Sequence, residues 1–302
     1  MDNARSNIVI LTGATGFIGS RLAMQLVQLG WEVHAVVRPS SNMAELTPVL
    51  DRVAVHQYDG TMGSMLECVR SARPHVAIHL ASLFLAQHQV ADIDPLIRSN
   101  VLLGTQFVEA LSNCGCKRLI NVGTSWQHYE NRDFDPVCLY AATKQAFEMI
   151  LRYYTSATSM KTVTLKLFDT YGPGDPRKKL FYLLRQCRKN GQPLSMSPGG
   201  QLVDLVYVDD VVEAFLLVLE QLNNDNRVWE PSYAVSSGRP IALKELVGVY
   251  ERVVSCKLPI TWGGRSYRPR EVMAPWNTGK SVPGWTPKVS LEEGIRRVEE
   301  AG

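Results

Sequence analysis

In the first half of the chain, short apolar runs are separated by segments with apolar residues at helical spacing. The runs predict strands at residues 7–11, 32–37, 52–56, 75–81, 118–122 and 162–167. The intervening segments predict helices at residues 20–29, 42–50, 62–71, 95–114 and 140–154. The first run, residues 7–11, has no polar interruption, which is typical of a central parallel strand covered on both faces, and strands separated by helices indicate a parallel sheet. We therefore expect an α/β fold with a doubly wound parallel sheet.

The alternation becomes less regular after about residue 172, where segments rich in glycine and proline separate shorter candidate elements. We expect residues 1–172 to form the main domain, with later segments returning to it, and residues 173–302 to form mainly a smaller lobe. Near the end of the chain, Ser290 and Glu293 make a capping-box pattern, which predicts the start of a helix.

Composition and charge exclude several classes of protein. The 302 residues are 45% hydrophobic and 20% charged, which is typical of a globular protein and not of a disordered one. Lys and Arg total 32 and Asp and Glu total 29, so the net charge of +3 gives no reason to expect a nucleic-acid partner. No apolar run approaches the ~18 residues of a membrane span, so we expect no membrane partner.

The six cysteines are scattered along the chain. Cys114 and Cys116 are the closest two, and they are separated by one residue where a redox or zinc pair has two. We therefore expect reduced thiols, no bound metal and a cytoplasmic location.

Three glycines, Gly13, Gly16 and Gly19, lie between the first predicted strand and the first predicted helix. Glycine gives the backbone the freedom that a tight strand-to-helix turn needs. Because side chains are absent, main-chain N–H groups and the helix N-terminus can approach a pyrophosphate. The loop lies within a βαβ unit of about 30 residues, and this context predicts a dinucleotide-binding site.

The residues after the second strand indicate which dinucleotide to expect. An NAD site usually has Asp or Glu there, whose carboxylate holds the ribose hydroxyls. This chain has Arg38 and no nearby acid. A guanidinium suits a 2′-phosphate by its charge and its fork of donors, although a solvated loop residue is the alternative. We therefore expect NADP(H) as the cofactor, with Asp59 and Gly60 close to its adenine.

Tyr140 and Lys144 are four residues apart on a predicted helix, so they lie on one face, one turn apart. A cation beside a tyrosine lowers the pKa of the phenol, which suits proton transfer between a carbonyl and an alcohol. The fifth strand leads into Thr124 and Ser125, at the sheet edge where open α/β folds bind ligands. We expect one of these hydroxyls to hydrogen-bond the substrate oxygen.

Taken together, several motifs resemble the extended short-chain dehydrogenase/reductase family, which is also called the NAD-dependent epimerase/dehydratase family. They are TGATGFIG, HLAS, NVLLGT, YAATK, LFDTYGPGD and VYVDDV, and they extend over nearly the whole chain. The resemblance implies a Rossmann domain with a smaller C-terminal substrate-binding lobe, and a nucleotide-diphosphate sugar as substrate. Further cofactor contacts are then expected at Thr15, Phe17, Ile18, Ser40, Asn42, Leu80, Ala81, Ser82 and Leu167.

The same resemblance assigns catalytic roles. Tyr140 would be the acid–base, and Lys144 would hold the nicotinamide ribose and lower the pKa of Tyr140. The family's catalytic Ser or Thr lies four residues before the tyrosine that is Tyr129 here, which selects Ser125, with Thr124 as the second candidate. Family members commonly pair through two long helices, so the chain is expected to form a homodimer through residues 95–114 and 140–154.

Departures from the family pattern narrow the expected reaction. Dehydratases of the family have Asp-Glu directly after the catalytic hydroxyl, whereas this chain has Trp126 and Gln127. Epimerases keep NAD bound, and Arg38 argues against NAD. The expectation that remains is NADPH-dependent reduction at C4 of a 4-keto-6-deoxy or 3,6-dideoxy hexose. The chain resembles 4-ketoreductases of the CDP-abequose and CDP-paratose synthase type, which implies a CDP-linked sugar.

Two other interpretations of the function remain open. A C4 epimerase or a dehydratase of the same family is the first alternative. A cofactor-binding sensor that has lost its chemistry is the second, although such a sensor would have no use for Ser125, Tyr140 and Lys144.

Substrate contacts are expected in the second half of the chain. Asp169 stands where the family often has Asn. Arg177, Lys178 and Lys179 form a basic cluster that can meet phosphates, with a solvated loop as the alternative.

Many relatives also have an arginine near the position of Val203 and Asp204, so Arg268 or Arg265 is expected to supply a phosphate contact instead. Three tryptophans can stack on a base or pack in the core, namely Trp126, Trp262 and Trp276. Of these we expect Trp126 to contact the substrate.

Overall fold

The strands and helices of the first half follow the order that the apolar pattern predicts. The computed structural model describes residues 7–223 and 232–301. The strands of this half are β1 (Ile8–Thr12), β2 (Glu32–Val37), β3 (Val53–Gln57), β4 (Val76–His79), β5 (Arg118–Thr124), β6 (Lys161–Leu167) and β7 (Asp169–Tyr171). The α-helices are α1 (Phe17–Gln28), α2 (Met62–Ala72), α3 (Ile93–Ile97), α4 (Leu103–Asn113) and α5 (Leu139–Ala157). Short 3₁₀ helices occur at Ala44–Arg52, Val90–Asp92, Ser125–Gln127 and Tyr129–Asn131.

Elements of the second half are mostly shorter. Its helices are α6 (Leu180–Asn190), α7 (Val208–Asn223), α8 (Leu243–Val253) and α9 (Leu291–Glu300). Its strands are β8 (Leu194–Met196), β9 (Leu202–Val203), β10 (Leu205–Tyr207), β11 (Ser232–Val235), β12 (Ile241–Ala242) and β13 (Ile260–Trp262). Ser290 caps α9 by accepting a hydrogen bond from Glu293 N at 3.2 Å, where the capping-box pattern predicts a helix start.

Seven parallel strands form the central sheet, in the order β11-β6-β5-β4-β1-β2-β3. In β1, Ile10 pairs with Ala77 on one side and with His34 on the other. The strand order therefore reverses at β1, and open parallel sheets bind ligands at such a reversal, beyond the carboxyl ends of the strands. The predicted doubly wound parallel sheet is confirmed.

Apolar side chains cover both faces of this sheet. Helices α1 and α7 pack on one face, and α2, α4 and α5 pack on the other. A third apolar cluster joins α6, α8 and α9 in the second half of the chain. Strand β11 pairs with β6, so the second half also supplies one edge of the sheet. None of the helices in the described ranges has the length and apolar character that crossing a bilayer requires.

Two predicted helices differ in form from a regular α-helix. The predicted helix 42–50 is the 3₁₀ helix Ala44–Arg52, which contains Pro48, a residue without the N–H that an α-helix needs. The predicted helix 95–114 corresponds to α3 and α4, joined by a π turn at Arg98–Leu102. In this turn the buried Asn100 accepts from Leu83 N at 2.7 Å and donates to Leu83 O at 3.0 Å. The π turn thereby fixes the loop that follows β4.

Candidate functional site

In the glycine loop between β1 and α1, one glycine leaves space for a ligand. A Cβ atom on Gly13 would lie 2.6 Å from Ala81 N, and one on Gly19 would lie 2.0 Å from Gly13 O. These two glycines are required by the packing of the loop itself. Gly16 is exposed at the N-cap of α1, where an added Cβ would meet only Gly13 O at 3.3 Å. The backbone at Gly16 is therefore open to a pyrophosphate.

A cavity of about 330 Å³ extends from this loop to the end of β5, and we call it the glycine-loop cavity. Many of its walls are residues that the sequence predicts at the cofactor or the substrate. These are Gly13, Gly16, Phe17, Ile18, Gly19, Leu80, Ser82, Thr124, Ser125, Trp126, Tyr140, Leu167, Asp169 and Arg177. The fold thus brings the glycine loop and the predicted catalytic hydroxyls to one cavity.

Other residues predicted to bind the cofactor do not line this cavity. Five of them are exposed in the loops that follow β2 and β3, namely Arg38, Ser40, Asn42, Asp59 and Gly60. These loops lie at the carboxyl ends of β2 and β3, at the same end of the sheet as the glycine loop. Thr15 is half-buried within the glycine loop, and Ala81 N donates to Thr12 Oγ1 at 3.2 Å.

Tyr140 lies in the first turn of α5, on the wall of the glycine-loop cavity, and is 8% exposed. Phe84 packs edge-on against its ring, with the two ring centroids 5.0 Å apart. Burial raises the pKa of Tyr140 to about 12, although a hydrogen bond with Ser82 acts to lower it. The sequence predicts that Lys144 lowers this pKa, whereas in the structure burial has the largest effect on it. The phenol is therefore protonated at neutral pH.

Lys144 lies one turn further along α5 and is 1% exposed. Within the described residues its Nζ has no hydrogen-bond partner, and burial lowers the pKa of this ammonium to about 8. A buried ammonium without acceptors is unfavourable, so a ligand that supplied acceptors would stabilise its charged form. Two ribose hydroxyls would do so. The open Gly16 fits a dinucleotide in the glycine-loop cavity, whereas Lys144, which the sequence predicts at the nicotinamide ribose, does not line this cavity.

Thr124 and Ser125 form a tight turn where β5 ends. Trp126 N donates to Thr124 Oγ1 at 3.3 Å, and Thr124 N donates to Gln127 Oε1 at 2.9 Å. Thr124 is therefore engaged in the turn through its hydroxyl oxygen and its backbone N–H. Ser125 lines the glycine-loop cavity together with Tyr140, which favours Ser125 as the hydroxyl that meets a substrate.

Behind this turn lies a buried polar network that the sequence did not reveal. Gln127 Nε2 donates to Glu148 Oε1 at 2.9 Å, and Glu148 Oε2 lies 3.4 Å from Lys166 Nζ. Lys166 Nζ in turn donates to His128 Nε2 at 2.6 Å. Burial and the Lys166 charge lower the pKa of His128 to about 4, so the imidazole is neutral at pH 7. The network anchors the Ser125 turn to α5 and β6.

Two further cavities adjoin the first. One of about 420 Å³, the α6 cavity, has walls that include Phe84, Arg177, Phe181, Leu243 and Arg268. The other, of about 110 Å³, is the small pocket, with walls that include Ser125, His128, Asp204, Glu271 and Trp276. Trp126 and Asp169 line all three cavities and mark their junction. A ligand that enters the α6 cavity can therefore extend past this junction towards Ser125.

The basic cluster of the second half is only partly directed at these cavities. Lys179 lines the α6 cavity and pairs with Asp169 at 3.3 Å. Arg177 lines it too and pairs with Asp175 at 2.6 Å. Lys178, which the sequence predicted as a substrate contact, is exposed and lines none of the three cavities. The sequence cannot show which side chain of this cluster turns inward, because a loop has no periodicity.

Arg268 lines both the α6 cavity and the small pocket. It pairs with Glu271 at 2.8 Å, and its guanidinium lies 5.3 Å from the Trp126 ring centroid. Val203, which stands near the position where relatives have an arginine, lines the same two cavities. Arg265 is exposed and lines none of the three, so of the two arginines proposed from the sequence only Arg268 faces a ligand cavity.

The sequence pattern of the NAD dependent epimerase/dehydratase family matches residues 9–230. The chain belongs to this family. The resemblance stated from the motifs is thereby confirmed. One relative is the CDP-abequose synthase of Salmonella muenchen, 23% identical over 293 residues that cover 96% of each chain. Another is the dTDP-4-dehydro-6-deoxyglucose reductase of Escherichia coli, 23% identical over 315 residues that cover 98% of each chain.

A solved structure with the same fold is the UDP-glucuronic acid 4-epimerase of Bacillus cereus, in complex with UDP-glucuronic acid and NAD. The TM-score is 0.82 at 20% identity, with 97% of this chain and 98% of that chain covered. This chain therefore shares its fold with a 4-epimerase, and the fold alone does not identify a reaction. The residues around the cavity, and not the fold, have to distinguish the possible reactions.

Proposed function

We propose that this family member is an NADPH-dependent reductase of a nucleotide-diphosphate 4-keto-6-deoxy or 3,6-dideoxy hexose, acting at C4, with CDP as the favoured nucleotide. The observation that carries the proposal is a buried, protonated phenol, Tyr140, on the same cavity wall as Ser125 and the open backbone of Gly16. The names of the Salmonella and Escherichia relatives support a deoxysugar substrate.

Each catalytic group has a distinct task in this reaction. The nicotinamide supplies the hydride when it is bound. Ser125 donates a hydrogen bond to the ketone oxygen and so stabilises the negative charge that develops there. Tyr140 gives its proton to the same oxygen and completes the alcohol. Lys144 holds the ribose hydroxyls, and its ammonium stabilises the phenolate that remains.

The preference for NADPH rests on the loop after β2. Arg38 is exposed there, and its backbone N donates to Ser41 Oγ at 3.1 Å, which fixes the start of the loop. A guanidinium exposed at this edge suits a 2′-phosphate, whereas the loop sequence lacks the carboxylate that favours an unphosphorylated ribose.

Two residues argue against a dehydratase. Trp126 lines the cavities but has no group that can act as an acid at neutral pH. Gln127 is fully buried and lines none of the three cavities. An acid at either position, as dehydratases have, would be needed to eliminate water.

The cavities also suggest where the substrate lies. The α6 cavity, with Arg177, Lys179 and Arg268 in its walls, would take the nucleoside diphosphate. The small pocket, which is about a quarter of its volume, would take part of the hexose, with C4 beside Ser125, which lines the glycine-loop cavity together with Tyr140. The sugar would then pass the junction formed by Trp126 and Asp169.

We also propose a cytoplasmic homodimer. Helix α5 exposes Met149 and Tyr153, one turn apart, and the neighbouring helix α3 exposes Ile93 and Ile97. Two adjacent helices with apolar residues on their outer faces are suited to pack against the same pair in a second copy of the chain. The cytoplasmic location rests on the six free thiols.

The deciding experiment follows NADPH absorbance at 340 nm with 4-keto-6-deoxy hexoses linked to CDP, dTDP, GDP and UDP. The proposal expects NADPH consumption with at least one of them, and fastest with the CDP sugar. A C4 epimerase is the second candidate, because a relative 26% identical to this chain is named a probable UDP-glucuronate 4-epimerase. It would instead be purified with tightly bound dinucleotide and would isomerise a sugar without consuming added NADPH.

A further inference from the structure

Asp169, at the start of β7, places a carboxylate where the three cavities meet. Its side chain is 41% exposed, and Lys179 Nζ lies 3.3 Å from its Oδ1. A carboxylate offers about four acceptor positions and no donor. After the contact with Lys179, Asp169 can still accept a hydrogen bond from a ligand that passes the junction.

The other carboxylates of the small pocket are already engaged within the chain. Asp204 accepts from Ser236 Oγ and, at 2.8 Å, from Ser237 N. Glu271 is held by the Arg268 guanidinium through both of its oxygens. Asp169 is therefore the acid of this pocket that is best placed to meet a ligand directly.

The charge of the pocket opposes an acidic ligand. Three carboxylates line it, and Arg268 is its cation. The imidazole of His128 is neutral at pH 7. The fold alone does not exclude an acidic sugar, because the Bacillus cereus enzyme of this fold was solved in complex with UDP-glucuronic acid. Like charges brought together in a binding site are unfavourable, so this pocket should repel a sugar carboxylate.

We propose that Asp169 is a specificity-determining residue, which accepts a hydrogen bond from a hydroxyl of an uncharged hexose and excludes hexoses that carry a carboxylate. This inference rests on the proposed function, because it assigns the small pocket to the sugar. Lys179 has the complementary role: it offsets the Asp169 charge so that the diphosphate can pass the junction.

The test measures binding by calorimetry to the full chain saturated with NADP⁺. UDP, CDP and dTDP are titrated first, and the tightest is then compared as its glucose and glucuronate conjugates. The two conjugates differ only in the group at C6. We expect the wild type to bind the glucose conjugate about tenfold or more tightly than the glucuronate. In Asp169→Asn, which keeps the size of the side chain, the two affinities should approach each other.

Two further variants distinguish an effect of the Asp169 charge from a general change in ligand affinity. Asp175→Asn also removes a carboxylate that pairs with a cation, but Asp175 lines only the α6 cavity. It should change both affinities by the same factor. Lys179→Gln removes the offsetting charge and should increase the preference for glucose, so the proposal can be judged even if Asp169→Asn does not fold.

The outcomes distinguish this inference from the proposed function. Equal binding of both conjugates by the wild type, or an unchanged ratio in Asp169→Asn and Lys179→Gln, would overturn the role of Asp169 alone. If no nucleotide and no conjugate binds, the assignment of these cavities to a nucleotide sugar fails, and the proposed function fails with it.

Discussion

Tyr140 and Lys144 lie one turn apart on α5, but only the phenol reaches the glycine-loop cavity, while the ammonium is buried without a hydrogen-bond partner among the described residues. The protein therefore stabilises the protonated form of the Tyr140 side chain and destabilises the charged form of the Lys144 side chain. Tyr140 is held in the form that donates a proton. Lys144 is held in an environment that disfavours its charge until a ligand provides acceptors.

Lys144→Met should stabilise the ligand-free protein while abolishing turnover. Methionine has a similar length and no charge to desolvate, so the gain at pH 7 should be on the order of 1–3 kcal/mol. Burial lowers the pKa of Lys144 from 10.5 to about 8, so between these values the unfolded wild type binds more protons and its stability rises with pH. The difference in Tm between variant and wild type should thus be largest below pH 8 and disappear near pH 10.5. A constant difference across this range would contradict the buried ammonium.

Tyr140→Phe should lower turnover by about 10²–10⁴-fold, which is the usual contribution of a general acid. The ring and its packing against Phe84 are kept, so NADPH binding and Tm should stay close to those of the wild type. Turnover is measured at 340 nm and binding by NADPH fluorescence. Unchanged turnover would remove Tyr140 from the reaction.

Gly16 and Gly19 should respond in opposite ways to an added side chain. Gly16→Val fills the open backbone at the N-cap of α1, so it should weaken dinucleotide binding by about 100-fold with little change in Tm. Gly19→Ala places a Cβ 2.0 Å from Gly13 O and should destabilise the fold by about 2–4 kcal/mol. Dinucleotide titration and thermal melts on both variants check the pair. If Gly16→Val bound the dinucleotide normally, the pyrophosphate would have to lie elsewhere.

Arg38→Ala should raise the Kd for NADPH by about tenfold or more and leave the Kd for NADH nearly unchanged, because only NADPH carries the 2′-phosphate. Arg52→Ala is the matched control, since Arg52 is an exposed arginine at the opposite end of the sheet, where β3 begins. Equal effects of Arg38→Ala on both cofactors would show that this guanidinium does not recognise the phosphate.

The double variant Ile97→Glu, Tyr153→Glu should sediment as a monomer, whereas the wild type should sediment as a dimer. Both positions are exposed apolar residues on the neighbouring helices α3 and α5, and a buried, unpaired carboxylate in an interface is strongly unfavourable. Leu29→Glu, an exposed apolar position at the end of α1, is the control and should leave the dimer intact. A wild type that is monomeric at all concentrations would refute the proposed homodimer.

The first half of the fold could be predicted because buried parallel strands appear in the sequence as short runs of apolar residues. Strand β2 was predicted at residues 32–37 and has those bounds, and five of its six residues are buried. The glycine loop could also be predicted, because contacts within the chain leave no room for a side chain at Gly13 or Gly19. The short strand pairs of the second half could not be predicted, because two or three residues show no period.

The buried polar network was missed for a different physical reason. In β6 the alternation of polar and apolar residues is typical of a strand with one face in solvent. Thr164 and Lys166 lie on the polar face, yet each is 4% exposed, because α5 covers that face and provides Glu148 as a partner for Lys166. A pattern in one segment cannot show that a distant helix provides the compensating charge.

The pairing of β11 with β6 means that the chain cannot be cut into an expressible cofactor domain and a transferable substrate domain. A fragment that ends at residue 172 would lose α7, which packs beside α1, and would leave the backbone donors and acceptors of β6 without their outer partner. Such an open edge recruits strands from other molecules. Any chimera designed to exchange sugar specificity must therefore transplant loops around Asp169 and Arg268 and keep β11 and α7 with the sheet that they complete.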